Sequence, residues 1–383
     1  MQCEKLFARI DELQEQYIQF WMDIINIESP TDYKPGVDAV GRYFIDRAVK
    51  RGWKVEVHHE DVSGDAICIT MNPDAKGKPV VFSGHMDTVQ PRGLFGTPPA
   101  KRDETFLYGP GTQDCKGGIT GSFLAMAALA DVGFTARPVK LILQSDEENS
   151  SQTSNKHTID FMAECAKGCA VFLNTEPYIP DYCTVGRKGI IRYTFQITGK
   201  AKHAAMCYDG VSAIAEASRK IWELEQYKDR DGMTFNVGLI SGGTSANTTP
   251  ANCTFELDIR FADEAQMRRA DEIVKQVAET SYVAGTTCEV TCTSRRAPME
   301  TNEKSLAALA ELNRICRENG LTEMEAGRRP GGSDAADMTS RGIVCLDSLG
   351  TLGGGSHSIR ERSYLSSLAV CAKRLAAMAY CME

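Results

Sequence analysis

Three consecutive carboxylates end the stretch Leu141–Glu148, which reads LILQSDEE. The apolar part of this stretch is typical of a buried strand. Three acids this close together repel one another unless a cation lies among them. The stretch therefore indicates either a solvated acidic turn or a cation site, and the other acids and histidines of the chain decide between the two interpretations.

Further acids and a histidine follow other short apolar runs. His85 and Asp87 come after the run 79–82 and are two residues apart, so in an extended segment they project from one side. A carboxylate behind a histidine can orient its ring as a metal ligand, although a structural hydrogen bond would also explain the pair. Glu176 follows the apolar run 169–173. Because ligand sites collect at the carboxyl ends of strands in an open α/β sheet, this joint placement predicts a single site.

Asp114 stands in a glycine-rich turn, GPGTQDCKGG, ahead of the helix-like segment 119–129. Such a turn invites a phosphate-binding interpretation, which fails twice. The dinucleotide fingerprint needs a glycine where Asp114 stands, and the P-loop needs Gly-Lys-Ser/Thr where this chain has Lys-Gly-Gly. An acid in the loop would also repel phosphate, so Asp114 fits a metal ligand better.

Hydrophobic periodicity predicts the elements that position these residues. Apolar residues between Leu6 and Ile24 recur at steps of three and four, which indicates an amphipathic first helix. A later part of the chain has the order strand–helix–strand–strand–helix–strand, which is ferredoxin-like. Its predicted segments are the strands 188–198, 235–240, 253–260 and 288–294 and the helices 211–227 and 264–283. We expect this domain, 184–296, to be inserted into another domain made of 1–183 and 297–383.

The bulk properties limit the class of protein. A chain of 383 residues is expected to form two domains. The net charge of −8 argues against nucleic acid or an anionic membrane as a partner. No run approaches the roughly 20 apolar residues of a membrane span, and the acids before Ile27 exclude a secretory signal. The fourteen scattered cysteines are then expected to be reduced thiols of a cytoplasmic protein.

Six stretches of the chain, in this order, resemble the M20 family of metallopeptidases, the group of carboxypeptidase G2, succinyl-diaminopimelate desuccinylase, acetylornithine deacetylase and aminoacylase. They are SGHMDTV, GPGTQDCKGG, SDEE, NTEP, GKAKHAA with GVSAI after it, and GGGSHSIRERSYLSSL. The resemblance covers the chain from about residue 20 onward. It implies an α/β fold with a zinc-exopeptidase-like catalytic domain, whose mixed sheet is flanked by helices, and an inserted ferredoxin-like α+β lid and dimerisation domain.

The resemblance also implies two zinc ions per subunit, for which cobalt or manganese could substitute. Asp114 would bridge the ions, His85 and Glu176 would complete one site, and Glu148 and His357 the other. Imidazole and carboxylate suit Zn²⁺, and three protein ligands per ion leave room for water or substrate. Two metals roughly 3.5–4 Å apart clamp a bridging water, lower its pKa and polarise the scissile carbonyl.

The same resemblance assigns roles to residues around the metals. Glu147 falls in the general-base position, where it would take a proton from the attacking water and give it to the leaving amine. Asp87 would hold His85 from behind. A histidine at the position of His203 in the family reaches the active site of the partner subunit and stabilises the oxyanion.

Three residues are candidates for binding the carboxylate of the substrate: Asn247, Arg260 and Arg329. A bidentate arginine suits a carboxylate, and Arg329 lies close in sequence to a site loop. Arg260 stands on a predicted strand, where a structural salt bridge explains it equally well. Arg187 and Lys188 are interpreted as solvated charges.

These features together predict a homodimeric, dinuclear zinc hydrolase that cleaves an amide next to a free carboxylate. It would act on a dipeptide or an N-acyl amino acid, as a carboxypeptidase, dipeptidase or deacylase. Glu176 stands where the tripeptidase branch tends to have Asp, which favours the carboxypeptidase and deacylase branches. Two alternatives stay open: an N-carbamoyl amidohydrolase of the same fold, and a non-catalytic dimeric relative that only binds in the cleft.

Overall fold

The computed structural model describes residues 2–230 and 232–382, which divide into two compact units. Unit 1 comprises residues 2–185, 301–328 and 333–382. Unit 2 comprises residues 186–230, 232–300 and 329–332.

The described residues form nine α-helices and sixteen strands. The helices are α1 (Glu4–Ile25), α2 (Lys34–Lys50), α3 (Lys116–Asp131), α4 (His157–Ala166), α5 (Ala213–Glu225), α6 (Glu264–Glu279), α7 (Glu303–Glu318), α8 (Asp334–Ser340) and α9 (Ser367–Cys381). The strands are β1 (Lys54–His58), β2 (Ala66–Met71), β3 (Val80–His85), β4 (Lys101–Arg102), β5 (Phe106–Tyr108), β6 (Val139–Gln144), β7 (Val171–Asn174), β8 (Tyr182–Arg187), β9 (Gly189–Thr198), β10 (Thr234–Gly242), β11 (Asn252–Phe261), β12 (Thr287–Arg296), β13 (Glu325–Arg329), β14 (Cys345–Leu346), β15 (Gly353–Gly354) and β16 (Arg362–Tyr364).

Unit 1 is built on a six-stranded sheet in the order β1-β2-β6-β3-β7-β14. The strands β6, β3, β7 and β14 run parallel to their neighbours in this series, whereas β1 and β2 are antiparallel additions. Every residue of β2 and β3 is buried, which accounts for the apolar run 79–82 that leads into β3. The predicted α/β class with a mixed sheet is confirmed.

Helices enclose this sheet. In α1, the predicted apolar series is buried along the side that packs against α3 and α9. The helix α3 has no polar face at all, since residues 116–129 are all buried, and it contacts β3 and β6. None of the described helices combines the length with the apolar character that crossing a membrane requires.

A smaller sheet in unit 1, in the order β15-β16-β5-β4, joins the last part of the chain to the glycine-rich turn. Ser363 in β16 is paired with Leu107 in β5, and the N–H of Gly109 donates to the carbonyl of Glu361 at 3.4 Å. The segment around His357 is therefore held beside the turn that carries Asp114.

Unit 2 has its own core. Its antiparallel sheet has the order β10-β11-β9-β12, and the elements follow one another as strand–helix–strand–strand–helix–strand. The rings of Phe195 and Phe255 stack at 4.4 Å on one face of this sheet, among the buried side chains of α5 and α6. The arrangement is that of a ferredoxin-like domain.

Candidate metal centre

Three parallel strands converge on the centre. β3 lies between β6 and β7 in the sheet, so their carboxyl ends are neighbours. β3 ends at His85, β6 is followed by the short 3₁₀ turn Glu147–Asn149, and β7 is followed by Glu176. The close packing of α3 against the last of these segments requires Gly118, because a Cβ there would lie 2.1 Å from the carbonyl oxygen of Thr175.

His85 is 1% exposed and has different partners on its two nitrogens. Its Nδ1 lies 3.0 Å from the carbonyl oxygen of Asp87 and 3.2 Å from that residue's Oδ1. Its Nε2 lies 3.2 Å from Oδ1 of Asp114 and 3.7 Å from Oε1 of Glu176. Burial alone lowers the pKa of His85, but the hydrogen bonds with Asp114 and Asp87 outweigh it and raise this pKa well above its usual value. In the neutral ring that a metal ion would bind, Nδ1–H would donate to Asp87 and the lone pair of Nε2 would face Asp114 and Glu176.

His357 approaches the same carboxylate from the other side. Its Nε2 lies 3.3 Å from Oδ2 of Asp114 and 3.3 Å from Oε2 of Glu148. The residue has a φ of +62°, in the left-handed region that a side chain rarely adopts. Such strain of roughly 1–3 kcal/mol collects at functional sites.

Asp114 therefore lies between the two histidines, with one carboxylate oxygen facing each. Burial alone raises the pKa of Asp114, but the hydrogen bonds with His357 and His85 outweigh it and hold this pKa well below its usual value. The carboxylates of Asp114 and Glu148 raise the pKa of His357 to about 11. Burial raises the pKa of Glu148 to about 8, against the opposing effect of His357. The cluster thus holds more positive charge than its residue types ordinarily carry at neutral pH.

Asp87 holds both His85 and the acidic turn that follows β6. Its Oδ1 accepts the N–H of Glu147 at 3.2 Å, and its Oδ2 accepts the N–H of Glu148 at 3.1 Å. The hydroxyl of Thr31 donates to the same carboxylate at 2.7 Å. One buried acid thus orients the first histidine and the next two acids of the centre.

Asp146, the first acid of the triplet, has a structural role. It is fully buried, and it accepts the N–H of Ser154 and the hydroxyl of Thr158, each at 2.9 Å. It therefore anchors the polar loop after the turn.

Glu361 is a residue of the centre that sequence reasoning missed. Its side chain is fully buried, and its Oε1 accepts the N–H groups of Gln113 and Asp114 at 2.9 and 3.0 Å. Its Oε2 accepts the N–H of Gly111 at 3.2 Å and the side-chain amide of Gln90 at 2.5 Å. The only signal available was its position four residues after His357, which reveals neither the burial nor the partners.

Cys115 brings a sulfur near the first histidine. Its Sγ, a nitrogen of His85 and an oxygen of Glu176 all lie within 4.8 Å of one another. The thiol donates to the carbonyl of Thr175 at 2.9 Å, and burial raises its pKa well above the usual value. A thiol that stays protonated and bonded to the backbone is not an activated nucleophile.

The four remaining predicted site residues belong to unit 2. His203 is exposed, its Nδ1 accepts the N–H of Ala205 at 3.2 Å, and its neighbour Ala204 bonds to the carbonyl of Asn247 at 2.8 Å. His203 and Asn247 are therefore close together. Arg260 forms an ion pair with Asp258 of its own strand at 2.6 Å. Arg329 ends β13, and its carbonyl accepts the N–H of Lys188 at 3.0 Å.

The interpretation of Arg187 as a solvated charge is wrong. Arg187 is only 5% exposed, and its Nη1 donates to the carbonyls of Gly331 and Gly332, both at 3.2 Å. Lys188 is half-buried, and its ammonium donates to the carbonyl of Gly232 at 2.6 Å. Both cations thus serve as donors to backbone carbonyls inside unit 2.

Comparison with known proteins gives the relatives of this chain. The family model described as Peptidase family M20/M25/M40 matches residues 81–380. Carboxypeptidase G2 of Pseudomonas sp. (strain RS-16) is 27% identical over 360 residues, which cover 92% of this chain and 86% of that protein.

Solved structures share the fold over nearly the whole chain. A tripeptidase from Staphylococcus aureus has a TM-score of 0.78 at 19% identity and covers 96% of this chain and 98% of its own. An M20 family metallo-carboxypeptidase from Sulfolobus solfataricus has a TM-score of 0.74 at 15% identity, with coverage of 95% and 99%.

Proposed function

This chain belongs to peptidase family M20/M25/M40 and is a hydrolase, and on that premise we propose that it is a dinuclear zinc enzyme that cleaves an amide bond next to a free carboxylate. The proposed substrates are dipeptides or N-acyl amino acids. The relative carboxypeptidase G2 supports a carboxypeptidase reaction.

The position of Asp114 carries this proposal. Its two oxygens face different histidines, at 3.2 and 3.3 Å, and each histidine also faces a further carboxylate. Two groups of three donors that share one carboxylate are what a pair of ions requires. We assign His85, Asp114 and Glu176 to one ion, and Asp114, Glu148 and His357 to the other.

The donors fit zinc by type and by spacing. Imidazole nitrogens and carboxylate oxygens are common zinc ligands, and bonds of about 2.0–2.2 Å at tetrahedral angles place two ligand atoms about 3.4 Å apart. The four separations between nitrogen and oxygen here are 3.2, 3.7, 3.3 and 3.3 Å. When bound, the two ions would polarise the scissile carbonyl and lower the pKa of a water between them.

Glu147 is the proposed general base. It adjoins the ligand Glu148 in the same turn, and the bond from its N–H to Asp87 fixes its backbone. A carboxylate oxygen of Glu147 takes the proton of the attacking water and gives it to the nitrogen of the leaving amine. The other side chains proposed for the centre are committed to metal binding or, in Asp87, to orienting His85.

We propose that residues 184–296 are a lid and dimerisation domain. The side chains of Trp222 on α5 and Leu239 and Ile240 on the edge strand β10 are 69%, 64% and 57% exposed, which supports a self-association surface. His203 would donate to the oxyanion in the partner subunit. Because its Nδ1 accepts a backbone N–H, the proton of the neutral ring is on Nε2, which suits this role.

Asn247, Arg260 and Arg329 are proposed to bind the free carboxylate of the substrate. Arg260 already shares two of its nitrogens with Asp258, at 2.6 and 3.1 Å, so it would bind substrate as part of this ion pair. Asn247 and Arg329 are exposed and half-buried, respectively.

A substrate panel tests the proposal. Zinc-reconstituted protein is assayed with N-acetyl, N-succinyl and N-carbamoyl amino acids, glutamyl conjugates and simple dipeptides, each with a free or an amidated carboxylate. We expect hydrolysis of at least one amide, lost on amidation of the carboxylate. Cleavage of N-carbamoyl substrates alone, or no bound metal after reconstitution with zinc, cobalt or manganese, would contradict the proposal.

A further inference from the structure

Two buried thiols meet where the ends of the described chain come together. Sγ of Cys3 and Sγ of Cys381 are 3.3 Å apart, although 378 positions separate them in sequence. Their residues are 1% and 8% exposed. Cys3 immediately precedes α1 and Cys381 is the last residue of α9, so the pair joins the outer ends of two helices.

Backbone contacts hold the pair in place. The N–H of Cys3 donates to Oδ1 of Asn319 at 3.0 Å, and the side-chain amide of Asn319 donates to the carbonyl of Ile315 at 2.9 Å. Asn319 follows α7, and its side chain also hydrogen-bonds the Cys381 thiol, so one residue contacts both cysteines. Bringing the sulfurs to the bond length of about 2.05 Å requires a movement of little more than 1 Å.

The pKa values of the two thiols are shifted in opposite directions. The pKa of Cys381 is lowered, first because its sulfur accepts the hydrogen bond of Cys3 and further because of the charge of Arg314. The donor Cys3 has a raised pKa, for the same hydrogen bond and because of burial. A lowered pKa favours the thiolate form of Cys381 as the sulfur that attacks an oxidant, and the protonated Cys3 thiol beside it is placed to resolve the product.

We propose that Cys3 and Cys381 are a redox modification site that hydrogen peroxide converts into a disulfide between α1 and α9. The Cys381 thiolate attacks the peroxide, its S–O bond forms as the O–O bond breaks, and the released hydroxide takes a proton to become water. The Cys3 sulfur then attacks the sulfenic sulfur, the S–S bond forms, and the S–O oxygen leaves as a second water with the Cys3 proton. The two thiols supply the two electrons that reduce the peroxide.

The disulfide would close residues 3–381 into one loop. A cross-link stabilises mainly by restricting the unfolded chain, and the effect grows with loop length. Neither cysteine belongs to the proposed metal centre, so turnover is expected to stay unchanged. The melting temperature of the zinc-loaded protein is expected to rise by about 5 °C or more on oxidation.

Peptide mapping tests the proposal on the full-length zinc-loaded protein. After limited hydrogen peroxide and alkylation of free thiols, we expect a mass loss of two hydrogens, a cross-linked peptide pair containing Cys3 and Cys381, and the rise in melting temperature. The variants Cys3→Ser and Cys381→Ser should each lose all three signals, whereas the control Cys169→Ser, a half-buried cysteine of unit 1, should keep them.

Three outcomes would overturn the proposal. One is that both thiols remain alkylatable in folded, oxidised protein. A second is that the cross-link forms between Cys68 and Cys165, whose thiols also interact, while Cys3 and Cys381 stay free. The third is that Cys381 accumulates as sulfinic acid, which would show that Cys3 does not resolve the first product.

Discussion

The carboxylate of Glu361 accepts the backbone N–H of Asp114 at 3.0 Å, so the residue proposed to bridge two metal ions is itself held by an acid. The same carboxylate accepts hydrogen bonds from the N–H groups of Gly111 and Gln113. Glu361 follows His357 by four residues, so a single segment supplies the second histidine and fixes the loop of the bridging acid. The geometry of the centre therefore depends on a residue outside the proposed set of metal ligands.

Replacing the proposed general base should separate catalysis from metal binding. We expect Glu147→Gln to lower kcat by about 10²–10⁴-fold, because the neutral amide cannot accept the proton of the attacking water. Zinc content, measured by atomic emission, should remain at two ions per chain. The matched change Glu148→Gln at the neighbouring position should instead lower the metal content. Unchanged turnover in Glu147→Gln would refute the assignment of the base.

Replacing Glu361 should weaken metal binding without removing a ligand. Glu361→Gln leaves one oxygen in place of two and turns an NH₂ group towards backbone donors, so the loop of Asp114 loses its position. Loss of such support typically costs 10–100-fold in metal affinity, which titration calorimetry would measure as a raised Kd for zinc. A spectral change in the cobalt-substituted protein should accompany it. The control Glu311→Gln, on the surface of α7, should leave Kd and spectrum unaltered; an unaltered Kd in Glu361→Gln would show that the loop holds Asp114 unaided.

Metal binding should release protons at neutral pH. In the metal-free protein, Asp114 and Glu148 raise the pKa of His357 from its ordinary value of 6.5 to about 11, so the ring is charged at pH 7. Zinc requires the neutral ring, so its apparent affinity should rise with pH. Calorimetry in buffers of different ionisation enthalpy would detect the released protons, and His357→Ala should release fewer. Equal heats in all buffers would contradict this expectation.

The stability of the metal-free protein should fall as the pH rises, whereas its apparent affinity for zinc should rise. A raised pKa means that the folded protein binds the proton of His357 more tightly than the unfolded chain does. This contribution is fully present below pH 6.5 and is lost as the pH rises through about 11. The melting temperature of metal-free protein should therefore fall over this range more than that of His357→Ala. An identical pH dependence in both proteins would contradict the shift.

A charge on β10, the edge strand of the sheet in unit 2, should abolish the proposed dimer. Ile240 is 57% exposed on β10, and a lysine there would be desolvated on association. We expect Ile240→Lys to be a monomer by light scattering, with lower turnover if His203 acts across the interface. Val62→Lys, at a site 71% exposed in unit 1, is the control. A monomeric wild-type protein with full activity would remove His203 from the mechanism.

The convergence of His85, Glu148 and Glu176 could be predicted because each residue follows an apolar run. Such runs become buried parallel strands, and parallel strands bring their carboxyl ends together. Helix and strand periodicity likewise predicted α1 and the alternation of unit 2. These patterns lie within single segments of the sequence, so the helices and strands can be predicted without knowledge of distant contacts.

Contacts made by distant side chains could not be predicted in the same way. The helix predicted to extend to Val283 ends at Glu279, because Glu216 of α5 accepts the N–H groups of Tyr282 and Val283. The ammonium of Lys220 in α5 donates to the carbonyls of Val277, Ala278 and Thr280. Glu361 and Arg187 were missed for the same reason: a charged residue reads as exposed until its partners are known.

The insertion of unit 2 also shapes how the protein is made. Four of the proposed metal ligands precede this unit, and His357 follows it, so at 5–20 residues per second the ribosome needs about 10–40 s to pass from Glu176 to the last ligand. During that time α3, which has no polar face, lacks the cover of α9. The face of α3 that packs against α9 therefore stays uncovered in the nascent chain for longer than many domains take to fold.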